Sequence, residues 1–241
     1  MNNYLIEGGF PKAIQYDTLA DKRTYVKSVI DEIFEKDIKK RIKIRNREAF
    51  EKVRNFVINN FGSTTSIASM QEALQKDGIE IKRQTLNRYI KALTDAKILY
   101  ECNRFDMKSK KSIKGEKKYY LADSSFYFAT NTDNRINFGP ALENIVYVYA
   151  RSRDYSVSVG RIGKLECDFI LRDNSLNYSY VQVSYTINGS KETEDREYTP
   201  LEKIKDNYPK YIVTTDFLFQ HRSGIKHVNL MEFIKSKSEF V

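Results

Sequence analysis

The chain has 241 residues, of which 41% are hydrophobic and 13% aromatic, and a net charge of +9. That is apolar material for one large domain or two smaller ones, and it excludes a disordered chain. No run approaches the roughly 18 consecutive apolar residues of a membrane span, so a cytoplasmic protein with no membrane partner is expected.

The charge is uneven. Residues 82–118 hold 12 Lys and Arg against 4 Asp and Glu, which is +8 of the total +9. A solubilising charge would be spread along the chain, whereas a focused one argues for an anionic partner. The first fifteen residues, MNNYLIEGGFPKAIQ, lack the basic-then-apolar pattern of a secretion signal. Cys102 and Cys167 stand in unrelated segments and read as buried reduced thiols. With His221 and His227 they show no ligand spacing, so no metal site is expected.

Residues 1–47 read as helical with an irregular start. Gly8 and Gly9 of GGFP permit unusual φ, and Pro11 can begin a helix. From Arg23 onward Val26, Val29, Ile30, Ile33, Phe34, Ile38 and Ile42 recur at three- and four-residue steps, an amphipathic stripe. The basic run KKRIKIRNR (39–47) reads as a solvated face.

Residues 48–121 form the clearest unit. EAFEKVRNFVINNFG gives a helix closed by Gly62. A second helix, SIASMQEALQ, can be capped by Ser63–Ser66. A third, KRQTLNRYIKALTDAK, turns Leu86, Ile90 and Leu93 inward. The strands ILYECNRF and KKYYLAD then flank a charged tip. Three helices and a two-stranded wing make the winged helix–turn–helix pattern. Lys82, Arg83, Gln84, Asn87, Arg88 and Lys91 lie off the apolar stripe of the third helix. That is where a recognition helix meets base edges, Arg and Lys on guanine, Gln and Asn on adenine. Lys108, Lys110, Lys111, Lys114, Lys117 and Lys118 of the wing suit phosphate contacts. Duplex DNA is the expected partner of both features; a pure protein-interaction module is the rival.

Residues 122–241 change character. FGPALENIVYVYARSR reads as a helix, YSVSVGRI, ECDFILR and YSYVQVSYT as strands, TPLEKIKDNYP as a helix, YIVTTD as a strand and VNLMEFIKS as a final helix. That order predicts an α/β (α+β) domain around a central mixed sheet. Its strands place Asp168 and Gln182 where a metal-dependent nuclease of the PD-(D/E)XK type keeps its acidic residue and its Glu or Gln, with Glu143 on the preceding helix. Such a nuclease uses carboxylates to hold Mg²⁺ and a lysine, two residues after the Glu or Gln, beside the attacking water. Here that position is Ser184, which carries no ammonium. Lys164 and Arg196 are the other nearby cations in sequence, and nothing in the pattern brings them to the site. The reading is therefore a vestigial site, with Asp168 and Gln182 satisfying each other inside the sheet. No catalytic residue is assigned; a Mg²⁺-dependent nuclease with a displaced lysine is the alternative.

Several stretches together resemble a known group: YLIEGGFPKAI (4–14), the spaced run from Arg23 to Asp37, FGPALENIVY (138–147), VGRIGKLECDFIL (159–171), YVQVSYTI (180–187), REYTPLEKIKDNYPKYIVTTD (196–216) and GIKHVNLMEFI (224–234). They resemble the C-terminal part of prokaryotic predicted AAA-type ATPases, which carry a domain of unknown function placed in the PD-(D/E)XK nuclease-like superfamily. The resemblance implies a helical connector over 1–47 following an ATPase module, a winged helix over 48–121 and a restriction-endonuclease-like domain over 122–241. It implies ATP and Mg²⁺ only for that module, because no G-x-x-x-x-G-K-[ST] occurs here and the chain reads as a fragment without it. Members of the group commonly depart from the nuclease signature at the lysine, as Ser184 does. The implied role is a non-catalytic binding region whose partners are duplex DNA, its own ATPase module or another protein, with no small-molecule substrate.

Overall fold

The stripe from Val26 to Ile38 does form a helix, and Thr18 opens it by accepting a hydrogen bond from the Asp21 amide at 3.1 Å. In a computed structural model of the chain, which describes residues 2–131 and 138–241, this helix is α2 (Leu19–Ile33). It follows α1 (Asn2–Glu7) and a single 3₁₀ turn, Ala13–Gln15. A π turn, Phe34–Ile38, extends it into α3 (Lys39–Arg41). The basic run here is a charged surface: Lys39 pairs with Glu35, Arg41 with Asp37, and Arg47 with Glu35 and Glu51. Chain contacts divide the molecule into two units, Met1–Glu101 with Gly115–Ile136, and Cys102–Lys114 with Asn137–Val241.

The first unit continues with α4 (Arg47–Asn59), the two-residue strand β1 (Thr65–Ser66), α5 (Ile67–Lys76) and α6 (Arg83–Asp95). Asn46 caps α4, and Ser66 caps α5 in a reciprocal box with Ser69. Strands β2 (Leu99–Asp106) and β3 (Lys111–Leu121) follow, of which residues 102–106 and 111–114 belong to the second unit, then α7 (Ser125–Thr130). Thr65 of β1 pairs with Lys117 of β3. Three helices, a two-residue strand and two longer strands thus follow one another here. The unit's core is an aromatic chain: Phe34 lies 5.2 Å from Phe50, and Phe50 lies 5.1 Å from Tyr89 edge-on. The GGFP turn is tied down by Asp123, which accepts from the Gly9 amide at 2.7 Å. Gly8 has φ +74, and a Cβ there would stand 1.9 Å from Asp123 Oδ1. Glycine is required for both reasons.

The second unit begins with α8 (Phe138–Ser152) and three strands, β4 (Ser156–Ile162), β5 (Leu165–Arg172) and β6 (Tyr178–Val183). Helix α9 (Lys191–Lys203) leads to β7 (Lys210–Thr214), β8 (Lys226–Asn229) and α10 (Leu230–Lys235). The far end of β2, Arg104–Asp106, pairs parallel with β4. Strands β4, β5 and β6 are antiparallel neighbours, and β7 and β8 add in parallel. The mixed α and β class read from the sequence is what the molecule has.

Two details depart from the expected boundaries. Helix α9 starts eight residues before Thr199, because Ser190 caps it and Pro200 lies inside it rather than at its start. His227, Val228 and Asn229 belong to a strand, and α10 starts only at Leu230, where the Asn229 side chain accepts from the Met231 and Glu232 amides. Among the described residues no helix is long and apolar enough to cross a membrane.

Candidate functional site

Ser158 pairs with Ile170 and Gly160 with Cys167, so Asp168 and Phe169 together face the single residue Val159. This is a β-bulge, the device that re-aims side chains in a sheet. It lets Cys167 and Ile170 share one face, where they pack with Tyr180, with Tyr198 and Leu201 of α9 and with Ile204 just past its end. Gly160 accommodates it, since a Cβ there would lie 3.1 Å from both Cys167 and Ile170. Phe169 turns the other way, to Tyr147 of α8 at 6.2 Å.

The bulge brings Asp168 beside β6. Its Oδ2 accepts from the Val183 amide at 2.8 Å, and its own amide donates to Gln182 Oε1 at 3.3 Å. Gln182 Nε2 donates to Glu197 Oε2 of α9 at 3.0 Å. Arg196 closes the series, giving Nε and Nη2 to Glu197 Oε1 at 2.9 and 2.7 Å. Asp168, Gln182 and Glu197 are all buried, while the Arg196 side chain is 70% exposed. A continuous set of hydrogen bonds thus links the sheet interior to a surface cation, with Gln182 and Arg196 both donating to Glu197.

Of the residues singled out for metal chemistry, Asp168 and Gln182 meet. Glu143 is half-buried on α8. Ser184 is buried and gives its hydroxyl to the Thr186 carbonyl at 3.1 Å. Lys164 lies in the β4–β5 turn, and Arg196 is committed to Glu197. The described residues contain no group of three or more His, Cys, Asp or Glu able to hold a metal ion. The arrangement satisfies buried polar groups with one another, which is what a sheet–helix contact demands. The Cys167 thiol beside it is pushed far up by burial and by the charge of Asp168, so it stays protonated. Sequence reasoning missed Glu197; its signal was a carboxylate next to Tyr198, on the inward face of a helix that starts upstream of its expected first residue.

The basic helix presents a different surface. Leu86, Tyr89, Ile90, Ala92 and Leu93 of α6 are buried. Lys82, Arg83, Gln84, Asn87, Arg88 and Lys91 are exposed. Arg83 Nε donates to Gln71 Oε1 at 3.0 Å, and Gln71 donates to the Ile81 carbonyl at 2.7 Å, which fixes the start of α6. Lys91 pairs with Asp95 at 3.2 Å. Asn87 and Lys91 share a groove of about 590 Å³ with Lys117 and Gly115 of β3. Of the wing cations, Lys111 and Lys114 are exposed, Lys117 pairs with Glu101, and Lys118 is buried at 5% exposure. Lys118 therefore does not present a free ammonium to a phosphate. Lys108 and Lys110 belong to the second unit, where they border a separate cleft.

Residues 1–135 match the family model described as a domain of unknown function, DUF8612. The chain belongs to that family. Two curated relatives of this DUF8612 protein are similar over most of it. An uncharacterized protein of Haemophilus influenzae is 27% identical over 94% of this chain and 56% of its own length. An uncharacterized protein of Methanocaldococcus jannaschii, MJ1544, is 28% identical over 86% of this chain and 46% of its own length. The chain thus spans about half the length of these relatives. No solved structure matches.

Proposed function

We propose that this DUF8612 chain is a non-catalytic, duplex-DNA-binding part of a larger protein, with α6 as the helix that enters the major groove. The observation that carries the reading is the division of α6. One side is locked into the Phe50–Tyr89 core, and the other displays Lys82, Arg83, Gln84, Asn87 and Arg88 to solvent. No acidic residue stands in its first turn. Cations supply phosphate and guanine contacts there, and the two amides supply adenine contacts.

The second unit serves, on this reading, as a further interaction surface derived from a nuclease-like ancestor. Its order, a helix, three antiparallel strands, a crossover helix and a parallel strand, supports that descent, and so does the pairing of Asp168 with Gln182. Ser184 and the engagement of Gln182 by Glu197 argue against hydrolysis by these residues. An AAA-type ATPase module in the remaining half of the protein would supply ATP and Mg²⁺ chemistry, in the cytoplasm.

Fluorescence anisotropy with a labelled duplex tests the central claim. The Lys82→Ala/Arg83→Ala/Arg88→Ala variant is expected to lose binding; unchanged affinity would overturn it. Mg²⁺-dependent nicking of supercoiled plasmid that disappears in Asp168→Ala would replace it with the nuclease reading.

A further inference from the structure

The second unit has an opening that the polar network does not use. Helix α9 ends at Lys203, and beside that end lies a cleft of about 890 Å³. Its floor is apolar: Phe105, Met107, Ile162 and Tyr178 pack there against the buried Ile170 and Ile204. Its border is basic. Lys108 and Lys110 come from the β2–β3 tip, Lys164 from the β4–β5 turn, Lys203 from the last position of α9 and Lys205 from the segment just past it. All five are exposed, and none has an ion-pair partner among the described residues. The one acidic lining residue, Asp206, is occupied: its Oδ2 accepts from the Tyr180 hydroxyl at 2.6 Å and its Oδ1 from the Tyr208 amide at 3.2 Å.

Lysines over a polar surface are merely solvated. Here three separate segments of chain bring five of them around an apolar hollow. Its volume falls within the roughly 300–1,000 Å³ of small-molecule sites. The ammonium groups favour an anionic head. The floor favours a hydrocarbon body, because the Tyr180 and Asp206 polar atoms already bond each other. A nucleobase would surrender its hydrogen bonds to water there without adequate replacement.

We propose that this cleft binds an aliphatic carboxylate, its head among the lysines and its chain along the Phe105–Ile170–Tyr178 floor. The inference is independent of DNA binding by α6. The test is calorimetric titration of the whole chain with dodecanoate below its aggregation concentration, with acetate as the chainless control. Saturable one-to-one binding of dodecanoate, and none of acetate, is the expected result. The Lys164→Glu/Lys203→Glu/Lys205→Glu variant should bind at least about tenfold more weakly, since it turns three attractions into repulsions. Ile162→Trp should block the hollow and abolish binding while every lysine remains. Both variants should keep the wild-type circular dichroism spectrum and duplex-DNA affinity. Equal dodecanoate affinity in either folded variant would overturn the proposal. So would failure of dodecanoate to bind alongside lysine-dependent binding of oligo(dT), which would make the cleft a single-stranded nucleic acid site. A folding defect in Ile162→Trp leaves the lysine variant, whose changes are all on exposed side chains, to decide.

Discussion

Gln182 Nε2 and Glu197 Oε2 meet at 3.0 Å between β6 and α9, and both side chains are buried. Glu197→Ala would strand the Gln182 amide inside the sheet–helix contact, at a cost of about 2 kcal/mol. Glu197→Gln keeps an acceptor and should cost about 1 kcal/mol. Arg196→Ala takes both donors from the buried Glu197 Oε1 but leaves the Gln182 amide paired, and should cost about 1 kcal/mol. Urea unfolding of the three variants checks the order. An Arg196→Ala cost equal to that of Glu197→Ala would mean that the ion pair, not the buried amide, holds α9 to the sheet.

Two glycines separate steric clash from backbone strain. Gly8 and Gly78 have φ of +74 and +77. A Cβ at Gly78 meets nothing within 4 Å, whereas one at Gly8 would stand 1.9 Å from Asp123 Oδ1 and 2.6 Å from Ser125 Cβ. Gly78→Ala should therefore cost about 1 kcal/mol, the strain alone. Gly8→Ala should cost at least about 2 kcal/mol more, because the turn must pull away from Asp123. Thermal unfolding midpoints measure the difference, and limited proteolysis should cut near Gly8 in the second variant only.

His227 sets a pH dependence. Its ring is buried, accepting at Nδ1 from the Gln220 amide at 2.9 Å and placing Nε2 2.8 Å from the Thr214 hydroxyl. Burial lowers its pKa from the ordinary 6.5, and the nearby Asp216 opposes this only in part. The folded state thus holds the neutral ring, whereas the unfolded chain takes up a proton more readily. Stability from this site is fully present above the unfolded value of 6.5 and declines as pH falls below it toward the folded value. His227→Gln should flatten the fall in melting temperature between about pH 7 and pH 5. The steeper loss at lower pH should persist in that variant. Glu194, Asp195 and Glu202 are held below their usual range, chiefly by hydrogen bonds to Lys191 for the first and to Arg222 for the other two. Their contribution is present above the ordinary carboxylate range and disappears as they protonate.

On α6, cations and amides should separate in a DNA assay. Replacing Arg88 with Ala should weaken all duplexes alike and reduce the salt slope by about 0.9 for each phosphate that the arginine neutralises. Gln84→Ala/Asn87→Ala should leave the salt slope unchanged and relax sequence preference. Anisotropy titrations at several salt concentrations on two unrelated duplexes distinguish the outcomes.

Local periodicity made much of this molecule readable. The three- and four-residue steps of Leu86, Ile90 and Leu93 give the buried side of α6, and alternation gives β5 and β6. Asp168 and Gln182 were readable as neighbours because adjacent strands must align. Glu197 was not, since its partner lies fifteen residues away on another element and the helix that turns it inward starts upstream of the expected first residue. The bulge at Asp168–Phe169 was equally silent: it exists only as a mismatch of register with β4. Lys118 shows the reverse failure, a charged residue in a basic run whose strand turns it inward.

The β2–β3 hairpin has a practical consequence for dividing the protein. Arg104, Phe105 and Asp106 pair with Val159, Gly160 and Arg161 of β4, and Arg104 meets Glu166 at 2.9 Å. Severing the chain near residue 121 would leave one fragment with an unpaired stretch of β2 and the other with a bare edge on β4. Such edges recruit any strand they encounter. Expressed separately, the two halves are expected to precipitate or to cling to each other, so genetic dissection is best done by point substitution in the intact chain.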